Sequence, residues 1–281
     1  MGFSTMSLRK LAMALAAAAA LASVTSGATA GPVLDRILAK RVMVMATDPE
    51  YPPQSQLTDS GDFEGFDIDV GREIARRLGV NLKFVTPGWD VITAGNWQSR
   101  WDISVGSMSP TRERSKHLDF PALYYNTPAS LVVHNDNRDI TSPELASEKA
   151  IGVGIATTYE SYLRHSLEID VPGAAEFDYL IAEPRIHTYD TDQLALDDLK
   201  LGDGTKLDAV ITALPTALGA IRNGYPLKII GGPLFLEPLA VAIDKGDLDF
   251  GALLKQIVAD MHRDGTLSRL SRRWYDADLT Q

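Results

Sequence analysis

The sequence predicts an α/β protein built as two lobes. Short β-rich runs alternate with amphipathic helical runs, the alternation starts afresh past the middle of the chain, and the length suffices for two ordinary cores. In open α/β sheets ligands sit beyond the carboxyl ends of the strands, so a cleft between the lobes is the expected site.

The first thirty residues read as a targeting segment. Arg9 and Lys10 precede an apolar stretch from Leu11 to Val24, and residues 28–30, "ATA", form a small-x-small cleavage site. The stretch is shorter than the roughly 20 residues that span a bilayer. Cleavage after Ala30 leaves 251 of 281 residues and, by removing Arg9 and Lys10, takes the formal net charge from −10 to −12. Such a surface repels phosphate backbones, so nucleic acid is not an expected partner. The chain has no cysteine, which excludes disulfides and a cysteine-linked lipid. Export without an anchor points to a bacterial periplasm, and no further membrane or signalling segment is expected.

In the first unit, 41–47 reads as a strand and 65–79 as a helix, with Phe66, Val70, Ile74 and Leu78 on one stripe and Gly79 at its end. Residues 81–86 and 101–108 read as further strands. In the second, 149–156 is a strand, 157–167 a helix, 186–190 a strand, 191–202 a helix and 207–213 a strand. Two helices finish the chain, the first carrying Phe250, Leu253, Leu254, Ile257, Val258 and Met261 on one face.

Several chemistries find no support. The five histidines show no metal-ligand spacing, so neither a metal nor a cofactor is expected. The turn "GVGIAT" at 152–157 lacks the third glycine and the acidic residue of a dinucleotide site. It still offers backbone N–H groups and the hydroxyls of Thr157 and Thr158 at a helix start, which suits a carboxylate; simple N-capping by threonine is the alternative. No serine sits in a nucleophile elbow. The acid pairs Asp67 with Asp69 and Asp197 with Asp198 fall on helix faces and read as solvated. In "SVGSMSPTRERSKHLDF", 104–120, an arginine follows a strand and a hydroxyl-rich turn, where its planar fork could meet a carboxylate. Spacing alone leaves Arg112 and Arg114 equally open to being solvated.

At these residues the chain resembles the periplasmic solute-binding proteins that serve ABC importers for polar amino acids, the family 3 extracellular solute-binding proteins. The similar stretches run in order through residues 40–276: "ATDPEYPP" (46–53), "GFDIDVGREIARRLG" (65–79), "WDISVGSMSPTRER" (101–114), "GVGIATTYE" (152–160) and "DGTLSRLSRRWY" (264–275). The resemblance implies the type II periplasmic-binding-protein fold, with two α/β lobes joined by two hinge crossings. Lobe one would hold residues 31–127 and 239–281, and lobe two 128–238, with crossings near Thr127 and Pro238. It further implies a monomer that closes on one small-molecule ligand and is recognised by permease subunits.

Residue by residue, the resemblance gives Arg114 the ligand's α-carboxylate, with Ser109 and Thr111 in the turn beside it and Ser107 supplying backbone or hydroxyl contacts. Thr157 and Thr158 would complete the carboxylate cage, Tyr51 and Trp89 would cover the ligand's side chain, and Asp48 would lie near the rim. Two positions depart from the family pattern. Ala213 stands where an aspartate usually meets the α-ammonium, so Glu237 is the expected substitute, or the ligand lacks an ammonium. Gln54 stands where phenylalanine is common, which implies a more polar pocket wall. The expected function is binding of an amino acid or related carboxylate; the rival is a cyclohexadienyl (prephenate or arogenate) dehydratase on the same fold, with Glu237 as acid.

Overall fold

The computed structural model describes residues 31–281; the expected signal segment, 1–30, lies outside them. Helix α1 (Pro32–Lys40) leads into β1 (Val42–Ala46) and a small antiparallel sheet of β2 (Glu50–Tyr51), β3 (Ser55–Leu57) and β4 (Phe63–Glu64). Then come α2 (Phe66–Leu78), β5 (Asn81–Val85), α3 (Trp89–Thr93), β6 (Ile103–Met108) and the long β7 (Leu118–His134). The second unit contains β8 (Ala150–Gly154), α4 (Thr158–Leu163), β9 (Arg185–Tyr189), α5 (Asp192–Leu199), β10 (Ala209–Ala213) and α6 (Leu214–Arg222). The long β11 (Leu227–Asp244) returns to α7 (Leu248–Arg263) and α8 (Thr266–Tyr275).

The large sheet runs β5-β1-β6-β11-β7-β10-β8-β9. Its outer trios are parallel, β5-β1-β6 on one side and β10-β8-β9 on the other, and β7 and β11 run antiparallel between them. Each long strand therefore belongs to both halves, and Thr127 faces Glu237 near the middle of the pair. Separate cores form on the two sides. Ala46, Ile92, Trp97, Trp101 and Met108 pack on one, and Ile151, Val153, Tyr162, Ile211 and Phe235 on the other.

Periodicity located most of these elements to within a few residues. Helix α2 begins and ends where its glycines require. Gly65 has φ +133°, and a Cβ there would come within 2.2 Å of the Gln54 carbonyl oxygen; Gly79 turns left-handed and closes the last turn on Ala75 and Arg76. Phe66, Val70 and Ile74 are buried as the stripe predicts, and Leu78 is half-buried. The helix expected over 157–167 is shorter. It stops at Leu163, because Tyr162 and Leu163 already face the core and the chain turns away at Arg164 to begin an irregular segment running to Pro184.

Candidate functional site

A cavity of about 490 Å³, mouth included, opens at the carboxyl ends of β1, β6, β8 and β9. Eight of the ten residues singled out from sequence line it: Asp48, Tyr51, Trp89, Ser107, Arg114, Thr157, Thr158 and Glu237. The other two stand one layer behind. The Ser109 carbonyl accepts from Arg114 Nη1 at 2.9 Å, and the Thr111 hydroxyl accepts from the Arg114 backbone N–H at 3.2 Å.

Of the two arginines, Arg114 is buried, whereas Arg112 is exposed and pairs with Glu168 at 2.8 Å. Arg114 Nη2 donates to the Ala156 carbonyl at 2.8 Å, and the guanidinium carbon lies 5.7 Å from the centre of the Trp89 ring. Its fork thus bridges the turn after β6 and the turn after β8. Among the described residues Arg114 forms no ion pair. Burial pushes its pKa down to about 10, which leaves it charged at neutral pH.

Glu237, on β11, is held by hydroxyls. Ser109 donates to Oε1 at 3.1 Å, Thr158 donates to the same oxygen, and Tyr159 donates to Oε2 at 2.8 Å. Burial raises its pKa, while the three hydroxyls and the Arg114 charge oppose the rise. Thr157 is the N-cap of α4, its hydroxyl accepting from Glu160 N–H at 3.2 Å, so the capping alternative holds for a residue that also lines the cavity. Ala156 just before it has φ +58° and exposes its carbonyl to Arg114.

Ser107 sits at φ +54°, and its own donors are spent beneath the cavity. Its N–H goes to Tyr124 Oη at 2.8 Å and its hydroxyl to Asp67 Oδ2 at 2.7 Å; Tyr124 in turn donates to Asp67 Oδ1 at 2.7 Å. The expectation that Asp67 is solvated is therefore corrected. It is fully buried in the first turn of α2, and burial raises its pKa to about 7. Gln54 also departs from expectation. It lies outside the cavity, buried, with its amide directed to Thr216.

Sequence reasoning missed Tyr159 and Asp192, both of which line the cavity. Asp192 follows the end of β9 and accepts from the Thr212 hydroxyl at 2.5 Å; burial raises its pKa to about 7. Asp48 accepts from Glu50 N–H at 2.7 Å and is raised to about 6, also by burial first. The rule that sites gather at the carboxyl ends of parallel strands would have flagged both additions, because each follows such an end within a few residues.

Two α/β halves, two long shared strands and a charged cavity at the strand ends define a two-lobed solute-binding protein. The sequence model of the bacterial extracellular solute-binding proteins, family 3, matches residues 43–277, and the chain belongs to that family. It is 29% identical over 273 residues to the L-cystine-binding protein TcyJ of Escherichia coli, covering 96% of this chain and 95% of that one. It is 27% identical to the histidine-binding periplasmic protein of Salmonella typhimurium, covering 97% and 99%. Among solved structures, a mutant of ArgBP from T. maritima superposes with a TM-score of 0.75 at 25% identity, covering 87% of this chain and 99% of that one. The ancestral amino acid-binding protein AncCDT-1, described as a precursor of cyclohexadienyl dehydratase, gives 0.74 at 28% identity, covering 86% and 99%.

Proposed function

We propose that this protein captures an amino acid or a related small carboxylate in the periplasm and presents it to the permease subunits of an ABC importer. The observation that carries this reading is Arg114, a buried guanidinium in a cleft where, among the described residues, no carboxylate is in ion-pair contact. A buried charge without a counter-charge is costly, and a ligand carboxylate bound bidentately would offset that cost. Relatives named for cystine, histidine and arginine, and one named as a probable amino-acid ABC transporter-binding protein, support the ligand class and the partner.

In this reading lobe one comprises residues 31–127 and 239–281 and lobe two 128–238. The crossings at Thr127 and Pro238 act as the hinge, and the protein works as a monomer. Closure assembles the site, since Arg114 and Trp89 come from one lobe and Ala156, Thr157 and Thr158 from the other. The ligand shifts the population toward the closed form by binding it more tightly.

Calorimetry with the common amino acids and L-cystine, paired with small-angle scattering, tests the reading. Binding of at least one of them with a smaller radius of gyration is expected, and no binding of any would overturn it. No turnover of prephenate or arogenate is expected; product formation would favour the dehydratase reading.

A further inference from the structure

We infer that Asp192 receives the ligand's protonated amine, so that the cleft selects zwitterions, with carboxylate on Arg114 and ammonium on Asp192, over hydroxy, keto or des-amino acids of the same shape. The inference rests on the proposed amino-acid site and assigns its second charge.

A cationic amine taken out of water needs a counter-charge or full hydrogen bonding. Four acids line the cavity: Asp48, Asp190, Asp192 and Glu237. Asp190 is exposed at the rim. Glu237 already accepts three hydroxyls, and the neighbouring Arg114 charge acts on it; an amine there would be repelled by the guanidinium. Asp48 is only half-buried and is turned toward its own backbone at Glu50.

Asp192 differs on each count. It is 6% exposed, and among the described residues it forms no ion pair. The Thr212 hydroxyl donates to Oδ2, and the Gly154 backbone N–H also bonds the carboxylate. Its other oxygen lies over Gly154, where a Cβ would come within 2.6 Å of Oδ1, so only glycine at the end of β8 lets the carboxylate settle there. Asp192 stands at the end of β9 and Arg114 beyond the end of β6, toward opposite edges of the large sheet, and both line one cavity. Each is a buried ionisable group that forms no ion pair among the described residues, and their ionised forms are of opposite sign. A zwitterion is the small ligand that neutralises both at once. Thr212 supports this arrangement: it precedes Ala213, which carries no charge, and its hydroxyl orients the acid that does.

The test compares amino acids with their des-amino counterparts on wild-type protein, Asp192→Asn and Glu237→Gln. The pairs are L-histidine with 3-(imidazol-4-yl)propionate, L-arginine with 5-guanidinopentanoate, and L-cystine with 3,3′-dithiodipropionate. Wild-type protein is expected to prefer the amino acid of the pair it binds by about 100-fold or more, the scale of one buried charge pair. In Asp192→Asn that preference should collapse toward unity, because the des-amino ligand never used the carboxylate. A purely structural role would weaken both members of the pair alike and leave the ratio unchanged, which would overturn the inference. A ratio that collapses in Glu237→Gln instead would also overturn it. If wild-type protein prefers another common amino acid, the same ratio is measured with that amino acid and its des-amino acid. Wild-type protein that binds no amino acid at all removes the proposed function; intact binding with an unchanged ratio removes only Asp192.

Discussion

Gln54 Nε2 donates a hydrogen bond of 3.0 Å to the hydroxyl of Thr216, joining two buried side chains 162 positions apart. Gln54 precedes β3 and Thr216 lies in the first turn of α6, so the bond ties the small sheet to the helix that follows β10. A buried amide with no partner costs about 1–3 kcal/mol, which is why a glutamine here is tied to what stands opposite it.

Gln54→Ala and Thr216→Val should each lower stability, by about 1–3 kcal/mol, because each leaves the other polar group buried and unpaired. The double variant should lose less than the sum of the singles. Denaturant unfolding of the four proteins checks this, and strictly additive losses would show that the bond contributes nothing specific. Since the two residues fall on the two proposed lobes, both singles should also weaken ligand binding without altering the cavity lining.

Arg114→Ala is expected to abolish binding while leaving the fold intact. Removing one charge-assisted bidentate contact from a closed cleft costs on the order of 2–5 kcal/mol of binding energy. Calorimetry reads the loss and thermal unfolding reads the fold. Wild-type affinity in the variant would return Arg114 to a structural role.

Asp67 should make stability depend on pH. Its carboxyl titrates near 3.8 when exposed and is raised to about 7 by burial beneath Ser107 and Tyr124. Between those values the folded state binds more protons than the unfolded state, so this group's contribution to stability falls as pH rises from about 4 to 7 and is flat above. The slope approaches about 1.4 kcal/mol per pH unit inside that window. Asp48 and Asp192 are raised in the same sense, so the diagnostic is a difference. The stability gap between wild type and Asp67→Asn should shift in favour of wild type on acidification from pH 7 to pH 4.5. A gap that is constant with pH would mean that Asp67 is ionised in the fold.

The irregular segment between α4 and β9 should act on ligand release. Arg112 N–H donates to the Glu168 carbonyl and Asp170 N–H to the Pro110 carbonyl, each at 2.9 Å, and Thr111 bridges Ile169 between them. These bonds grip the turn that carries Arg114. The accompanying Arg112–Glu168 ion pair has both side chains more than half exposed, so Glu168→Ala should change little, about 0–1 kcal/mol. Asp170→Pro, which deletes a backbone donor, should raise the ligand off-rate by about tenfold, the scale of one backbone hydrogen bond. Stopped-flow fluorescence of Trp89 would read it; equal off-rates in wild type and Asp170→Pro would mean that the segment only packs.

Local pattern carried the sequence a long way. Helix α2 and helix α7 show in the 3.6-residue spacing of Phe66, Val70 and Ile74 and of Phe250, Leu254, Ile257 and Met261, because one buried face is enough to write that period. Strands such as Val42–Ala46 show as short runs of apolar residues. The two long strands were legible only through the resemblance. Pro121, Pro128 and Pro238 interrupt them where strand patterns exclude proline, and register shifts break their alternation. Which polar side chains are buried belongs to the tertiary structure alone. Asp67 and Asp69 stand two positions apart on one helix, yet Asp67 is sealed under Tyr124 while Asp69 takes the Trp274 indole N–H near the surface. Arg112 and Arg114 divide in the same way, one paired in solvent and one buried among carbonyls. Burial of a polar group depends on partners brought from far along the chain, 57 positions for Tyr124 and Asp67, 128 for Glu237 and Ser109 and 162 for Gln54 and Thr216, and no short window contains both members.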